Sequence, residues 1–242
     1  MCRVFSILFL MCLLPAAADA QSVGNAKSEE SSLDAGTSKR PEGMAPNATL
    51  DPEDLEEYDR QPERVRRLVT RALTLTTLGL TYTYGSADPN RAGMDCSGTI
   101  FYLLNSQGFS EVPRSSPGQY LWVRKADQFW PVVGRKEDGV EFDQLLPGDL
   151  LFWSGTYAIE REVPVTHVML YLGRERKTGR RVMFGASNGR SYLGKPRWGV
   201  SVFDFKLPSA KSKAAFLGYG RIPGLRKESG RAEGSPPSPD EG

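Results

Sequence analysis

The stretch HVMLYLGRERKTGRRVMFGAS, residues 167–187, decides the fold. Two apolar runs, 167–173 and 181–187, flank a polar connection rich in Arg, Lys and Gly, the signature of two antiparallel strands joined by a hairpin. Outward from it, DLLFWS (149–154), GVSVFDFKL (199–207) and AFLGYGRI (215–222) also read as strands. Before Gly148 the period is that of helices. Val65, Leu68, Val69, Ala72 and Leu73 recur at i, i+3, i+4 spacing and predict an amphipathic helix that begins near Pro62. A second helix is expected over CSGTIFYLLN, with Asp95 or Cys96 at its start and Gly108 beyond its end. A third is expected at Ser116-Pro117-Gly118-Gln119, where Ser116 would cap, Pro117 would take the first position and Gln119 the capping-box site. Helices first and strands later predict an α+β domain with an antiparallel sheet.

The ends of the chain differ from its middle. MCRVFSILFLMCLLPAAADA (1–20) has a positive start, an apolar run and a small-residue close, the layout of a cleavable signal peptide. Its apolar run is shorter than the roughly 20 residues a membrane-spanning helix needs, and no later segment is apolar enough to span. Residues 21–50 and 225–242 have linker-like, disordered composition. The stretch 51–224 between them is long enough for one domain with a real core. Asn47-Ala48-Thr49 fits a glycosylation acceptor, a short match that is common by chance. The 31 basic and 29 acidic residues nearly cancel and the basic ones are scattered, so no nucleic-acid surface is expected.

Export changes the cysteine count. The chain has 3 cysteines, and removal of a signal peptide takes Cys2 and Cys12 with it, so that Cys96 stands alone. A lone thiol in an exported protein marks a reactive group or an intermolecular bridge more readily than a disulfide framework. The chain has 1 histidine, His167, so a structural zinc site of Cys and His ligands is excluded, and no cofactor is expected. Cys96 at a helix start would have free backbone N–H groups beside its sulfur, which favour a thiolate. His167 at the head of a strand would act as its base if the two meet. Core filler remains the competing reading of both residues.

The motifs carry the reading further. In order the chain holds Tyr82-Thr83-Tyr84-Gly85, Gly93-Met94-Asp95-Cys96-Ser97-Gly98, Pro113-Arg114-Ser115-Ser116 with Gln119, Pro147-Gly148-Asp149-Leu150, and His167-Val168 leading to Tyr171-Leu172-Gly173. In these blocks, over about Pro62 to Ile222, the sequence resembles the NlpC/P60 family of cysteine peptidases of the bacterial cell wall. The resemblance implies a papain-like fold of N-terminal helices on an antiparallel sheet. It implies action on peptidoglycan peptides, and with the signal peptide a monomer exported to the periplasm or cell envelope, or secreted, is expected. Cys96 would be the nucleophile and His167 the base, with Tyr82, Asp95 and Ser97 at the oxyanion or substrate. The family's third polar residue falls near Gly185, which has no side chain to offer, so Ser187 or Asn188 would have to serve; Asn188 is the stronger candidate. Arg114 and Gln119 read as loop-fixing residues, Trp130 as part of a satellite core, and Arg190 and Tyr192 as residues able to face substrate. Three functions stay open: a hydrolase of stem peptides, a non-catalytic envelope-binding module, and an amidase or acyltransferase on another amide.

Overall fold

The computed structural model describes residues 40–226. The expected signal peptide, residues 21–39 of the expected linker and residues 227–242 of the expected tail lie outside the described residues. Helix α1 spans Glu63–Thr76 and buries the predicted stripe, including Val65, Leu68, Val69, Ala72 and Leu73. Burial of each Val and Leu of the stripe stabilises the fold by roughly 1.5–3 kcal/mol. Strand β1 (Thr81–Tyr82) then pairs in parallel with β2 (Gly93–Met94). This short ladder brings the loop of residues 83–92 back to the start of α2, which spans Cys96–Asn105.

Helix α3 spans Ser116–Lys125 and starts differently from the sequence expectation. Ser115, not Ser116, is the N-cap, its hydroxyl accepting from the Gly118 amide at 3.3 Å. Gln119 is not part of a capping box. Its side-chain amide donates to the carbonyls of Ser97 (3.0 Å) and Pro113 (2.9 Å), so it ties α3 to the first turn of α2.

The remaining strands are β3 (Phe129–Pro131), β4 (Leu150–Ser154), β5 (Val165–Arg174), β6 (Arg181–Ser187), β7 (Ser191–Tyr192), β8 (Lys195–Pro196), β9 (Gly199–Asp204) and β10 (Ala215–Gly220). Six of them form one sheet in the order β3-β10-β4-β5-β6-β9, with every neighbouring pair antiparallel. Strand β3 is not among the strands that the sequence predicts, and its pairing with β10 is what the local sequence does not reveal. With helices on this antiparallel sheet, the fold is α+β and papain-like.

The sheet is covered on both faces. On one side Phe152, Val168, Leu170 and Phe184 pack against the helices. On the other, Trp153, Met169, Tyr171, Met183 and Phe203 meet Phe142, Leu145 and Val132 of the 132–145 segment. Central strand β5 is consequently buried from Val165 through Gly173, as a strand with no solvent face must be. Trp130 belongs to this second layer, stacked on Tyr219 with ring centroids 5.6 Å apart.

The domain also reaches beyond 51–224. Ala45 bridges to Arg197, and Ala48 donates to the Ser201 hydroxyl at 2.8 Å while accepting from the Val202 amide at 2.9 Å. Residues 45–48 thus dress the outer edge of β9, whose backbone groups would otherwise be an open template for pairing. The Asn47 side chain is engaged there too, donating to the Leu80 carbonyl at 2.9 Å. At the other end Leu225 is buried and Arg226 donates to the Pro147 carbonyl at 2.7 Å. The composition of both segments is linker-like, but a few backbone and apolar contacts suffice to dock them.

Asp149 is the tie between the sheet's middle and its C-terminal strand. It is fully buried, accepts from the Leu146 amide at 2.9 Å and pairs with Arg221 at 3.2 Å. Burial pushes its carboxyl above the ordinary range, against the pull of Arg221. Replacing one partner of such a pair leaves the other buried alone. Asp149→Ala is expected to lower unfolding free energy by about 3 kcal/mol, measured by urea denaturation; an unchanged midpoint would show that the pair does not support the sheet.

Candidate active site

Asp95 sets the geometry of the site. As N-cap of α2 it accepts from the Gly98 amide at 2.6 Å. The same carboxylate takes the Gly85 amide at 2.9 Å and a two-pronged contact from Arg114, at 3.1 Å and 2.8 Å. The Ser97 hydroxyl donates to it at 3.3 Å and accepts from Arg114 at 3.1 Å. Asp95, Ser97 and Arg114 are therefore engaged with one another and with backbone amides, which makes them a scaffold under Cys96. Gly98 is required by closeness, since a Cβ there would lie 2.1 Å from the Ser86 carbonyl oxygen.

Cys96, the first residue of α2, is a buried free thiol. Burial first, and the Asp95 charge second, push it up to about 11. The backbone amides of Val168 and Ser97, then the Arg114 guanidinium, pull the other way and lose. The Val168 contact sets the sulfur against β5, one residue past His167. Thiol and imidazole thus stand at the same end of that strand.

His167 lies opposite Trp153 in the β4–β5 ladder, with ring centroids 5.8 Å apart and planes tilted by 57°. Burial, and next the charge of Arg190, hold it well below its ordinary range, so the imidazole is neutral. Its Nε2 is buried without a hydrogen-bond partner. The expected third member does not meet it. Asn188 is exposed in the turn after β6, and among the described residues no hydrogen bond joins it to His167. Ser187 instead accepts from the Arg190 amide at 3.3 Å. Gly185 offers no substitute, and its place is taken: a Cβ there would lie 2.4 Å from the Met169 sulfur. Packing against Trp153, not a polar partner, confines the ring.

Tyr82 and Tyr157 lie near enough to Cys96 for charge to act between them, and Tyr84 lies near both. Tyr82 meets Trp198 edge to face at 6.2 Å. Burial, then the neighbouring Cys96 and Asp95, drive its phenol far above the ordinary range, so it stays a proton donor. Tyr84 and Tyr157 are 60% and 43% exposed, so they offer the solvent-facing aromatic surface of this end of the site. Tyr157 is shifted upward by burial, against Arg161, with Tyr84 and Cys96 adding to the rise. Tyr192 is elsewhere, its hydroxyl donating to Glu175 at 2.7 Å. Arg190 completes the surround, its guanidinium carbon 4.1 Å over the Trp153 ring.

Sequence reasoning did not find Trp153 or Tyr157. Trp153 sits in an apolar strand run where nothing separates it from ordinary core, and Tyr157 lies in a loop whose path cannot be read from composition. Among the described residues no cluster of His, Cys, Asp and Glu suits a metal ion, and no helix is long and apolar enough to cross a membrane. A thiol, a neutral imidazole and a protonated phenol are the kinds of group that acyl transfer uses.

Residues 79–193 match the model of the NlpC/P60 family. No curated protein matches. Among solved structures, a Staphylococcus aureus subsp. aureus Mu50 protein described as similar to lipoprotein, NLP/P60 family, is 23% identical, with a TM-score of 0.42. The match covers 73% of this chain and 43% of that one, so the chain spans less than half of that protein's length.

With its thiol raised, Cys96 is almost wholly protonated at neutral pH in the free protein. Its alkylation by iodoacetamide is expected to go on accelerating with pH up to and beyond about 11. A plateau reached below pH 8, followed by mass spectrometry of the modified residue, would contradict this.

Proposed function

The chain is an NlpC/P60-family protein over residues 79–193, and from that premise we propose that it is an exported cysteine peptidase of peptidoglycan stem peptides. Membership of the family points to a peptidase-type function on the cell wall. The finer reading is hydrolysis of the amide between D-glutamate and the diamino acid, through a thioester on Cys96. The observation that supports it is the position of the sulfur, at the mouth of α2 and against the backbone amide of Val168, the residue that follows His167 on β5.

The steps follow from the groups present. His167 takes the thiol proton as the sulfur attacks the scissile carbonyl, since a neutral imidazole has room for that proton. The tetrahedral oxyanion is met by the Tyr82 phenol and by backbone amides at the start of α2. The imidazolium then protonates the leaving amine, and the C–N bond breaks to leave a thioester. His167 next deprotonates a water that attacks the thioester carbon. The C–S bond breaks, the sulfur regains a proton, and the product carboxylate departs. Asp95, Ser97 and Arg114 act by holding the first turn of α2 in place.

A second reading, a non-catalytic envelope-binding module on the same fold, draws support from the unpartnered His167 Nε2 and the glycine at 185. Both features remove the usual means of orienting a base, which matters to rate.

Digestion of purified peptidoglycan followed by mass spectrometry of the muropeptides separates the two. The wild-type protein is expected to release fragments cut between D-glutamate and the diamino acid. Cys96→Ser is expected to abolish cleavage while melting like the wild type, and His167→Ala to slow it by about 10²–10⁴-fold. Cleavage retained by Cys96→Ser would eliminate the thioester route, and no cleavage by the wild type would favour the binding module.

A further inference from the structure

The face of α1 opposite its buried stripe lines an open groove of about 440 Å³. Three arginines share that groove with one carboxylate. Arg67 takes the carboxylate, pairing with Glu63 at 2.6 Å. Arg71 reaches the Tyr102 hydroxyl at 3.4 Å. Arg66 makes no ion pair among the described residues, and its Nε is buried without a hydrogen-bond partner. Partly buried arginines elsewhere on the domain are answered: Arg114 by Asp95, Arg221 by Asp149, Arg64 by the Gly224 carbonyl. The groove is thus left with two positive charges that its own lining does not balance. A cleft lined by one sign of charge concentrates the opposite sign from solution.

The groove is separate from the thiol. Cys96 begins α2, and Gln107, which also lines the groove, follows its other end, so a helix of 10 residues, about 15 Å long, stands between them. Guanidinium forks suit phosphate and carboxylate oxygens alike, and the neutral neighbours choose between the two. The Gln107 side chain makes no hydrogen bond with the described residues, so its amide keeps both donors and its acceptor. The Thr74 hydroxyl gives its proton to the Thr70 carbonyl at 2.9 Å, which leaves it able to accept. Beside the arginines, these are partners for hydroxyls as well as for anions. Arg67 and Arg71 are one helical turn apart, about 6 Å along the axis, so an extended chain with charges at intervals can meet both. Nothing aliphatic lines the groove to enter a bilayer. Its one ring, Tyr58, is held by its hydroxyl to Thr70 at 2.7 Å and is no row of platforms for stacking bases.

We propose that this groove binds a linear polyol-phosphate polymer, a chain of phosphodiesters joined by hydroxyl-bearing carbons. Arg66 and Arg71 meet successive phosphates, Arg67 joins them when a phosphate displaces Glu63, and Gln107 and Thr74 take hydroxyls of the links. Binding there holds the domain against such a polymer while the cysteine end of α2 stays free. The inference concerns a second surface and needs no peptidase activity.

The test is fluorescence anisotropy of an end-labelled poly(glycerol phosphate) oligomer titrated with the protein. Affinity is expected to fall with salt, with a log–log slope of about −2. Arg66→Gln is expected to weaken binding about tenfold and to make that slope shallower by about one. Glu63→Gln, which removes the competing acid, is expected to tighten binding by about two- to fivefold. Glu63 is exposed, so this second variant decides if Arg66→Gln does not fold. Absence of binding, or binding that neither substitution moves in proteins that melt like the wild type, would overturn the inference. So would equally tight binding of polyglutamate of the same charge, since the groove would then not read the links. Tighter binding of an oligothymidylate, or of phosphatidylglycerol vesicles, would overturn it in favour of a nucleic acid or a membrane. Cys96→Ser is expected to bind the oligomer as the wild type does, so loss of the peptidase reading leaves this result standing.

Discussion

The Asp95 carboxylate is the contact on which the site depends. A single buried group caps α2, accepts the Gly85 amide of the preceding loop and receives the Arg114 fork from the loop before α3. Three separate pieces of chain are thereby fixed relative to the first turn of α2, and the cysteine is the first residue of that turn. The position of the sulfur is a consequence of where Asp95's hydrogen bonds go. Gln119, which reaches from α3 to the Ser97 carbonyl, adds a second brace to the same turn.

The sheet supplies the other half of the constraint. Strand β5 has apolar neighbours on both faces, and that is why His167 at its head is held rigidly with so little polar help. A neutral imidazole in such surroundings is the low-energy form, because burying an unpaired charge costs far more than burying an unpaired nitrogen. The thiol obeys the same logic with the opposite sign, being held protonated. In the free protein the pair therefore rests as two uncharged groups, and any charge separation between them has to be induced by what binds.

Much of this was legible in the chain, for identifiable reasons. The period-two runs at 167–173 and 181–187 gave the central hairpin because strand pattern and polar connection are local properties. The stripe from Val65 to Leu73 gave α1 for the same reason. The blocks around Cys96 and His167 were readable as motifs, and Asp95 as a cap, because capping is decided within a few residues. What escaped was set by distant partners. Strand β3 exists because β10 is beside it, residues 45–48 are ordered because β9 has an open edge, and Trp153 acquires its position over His167 only through the β4–β5 register. Asn188 failed as an orienting group for a similar reason: adjacency in sequence to the end of β6 does not decide where the turn directs it.

The contact between Gly185 and Met169 has a further meaning for how this site can change over generations. The two residues share one volume, so an imidazole or carboxamide at 185 requires the methionine side chain to swing aside or be shortened, and shortening the methionine alone opens a hole. The path to a polar orienting group is therefore ordered: the methionine must yield before, or together with, the glycine. Positions 169 and 185 form an epistatic pair, and relatives that carry a side chain at the second should carry a small residue at the first.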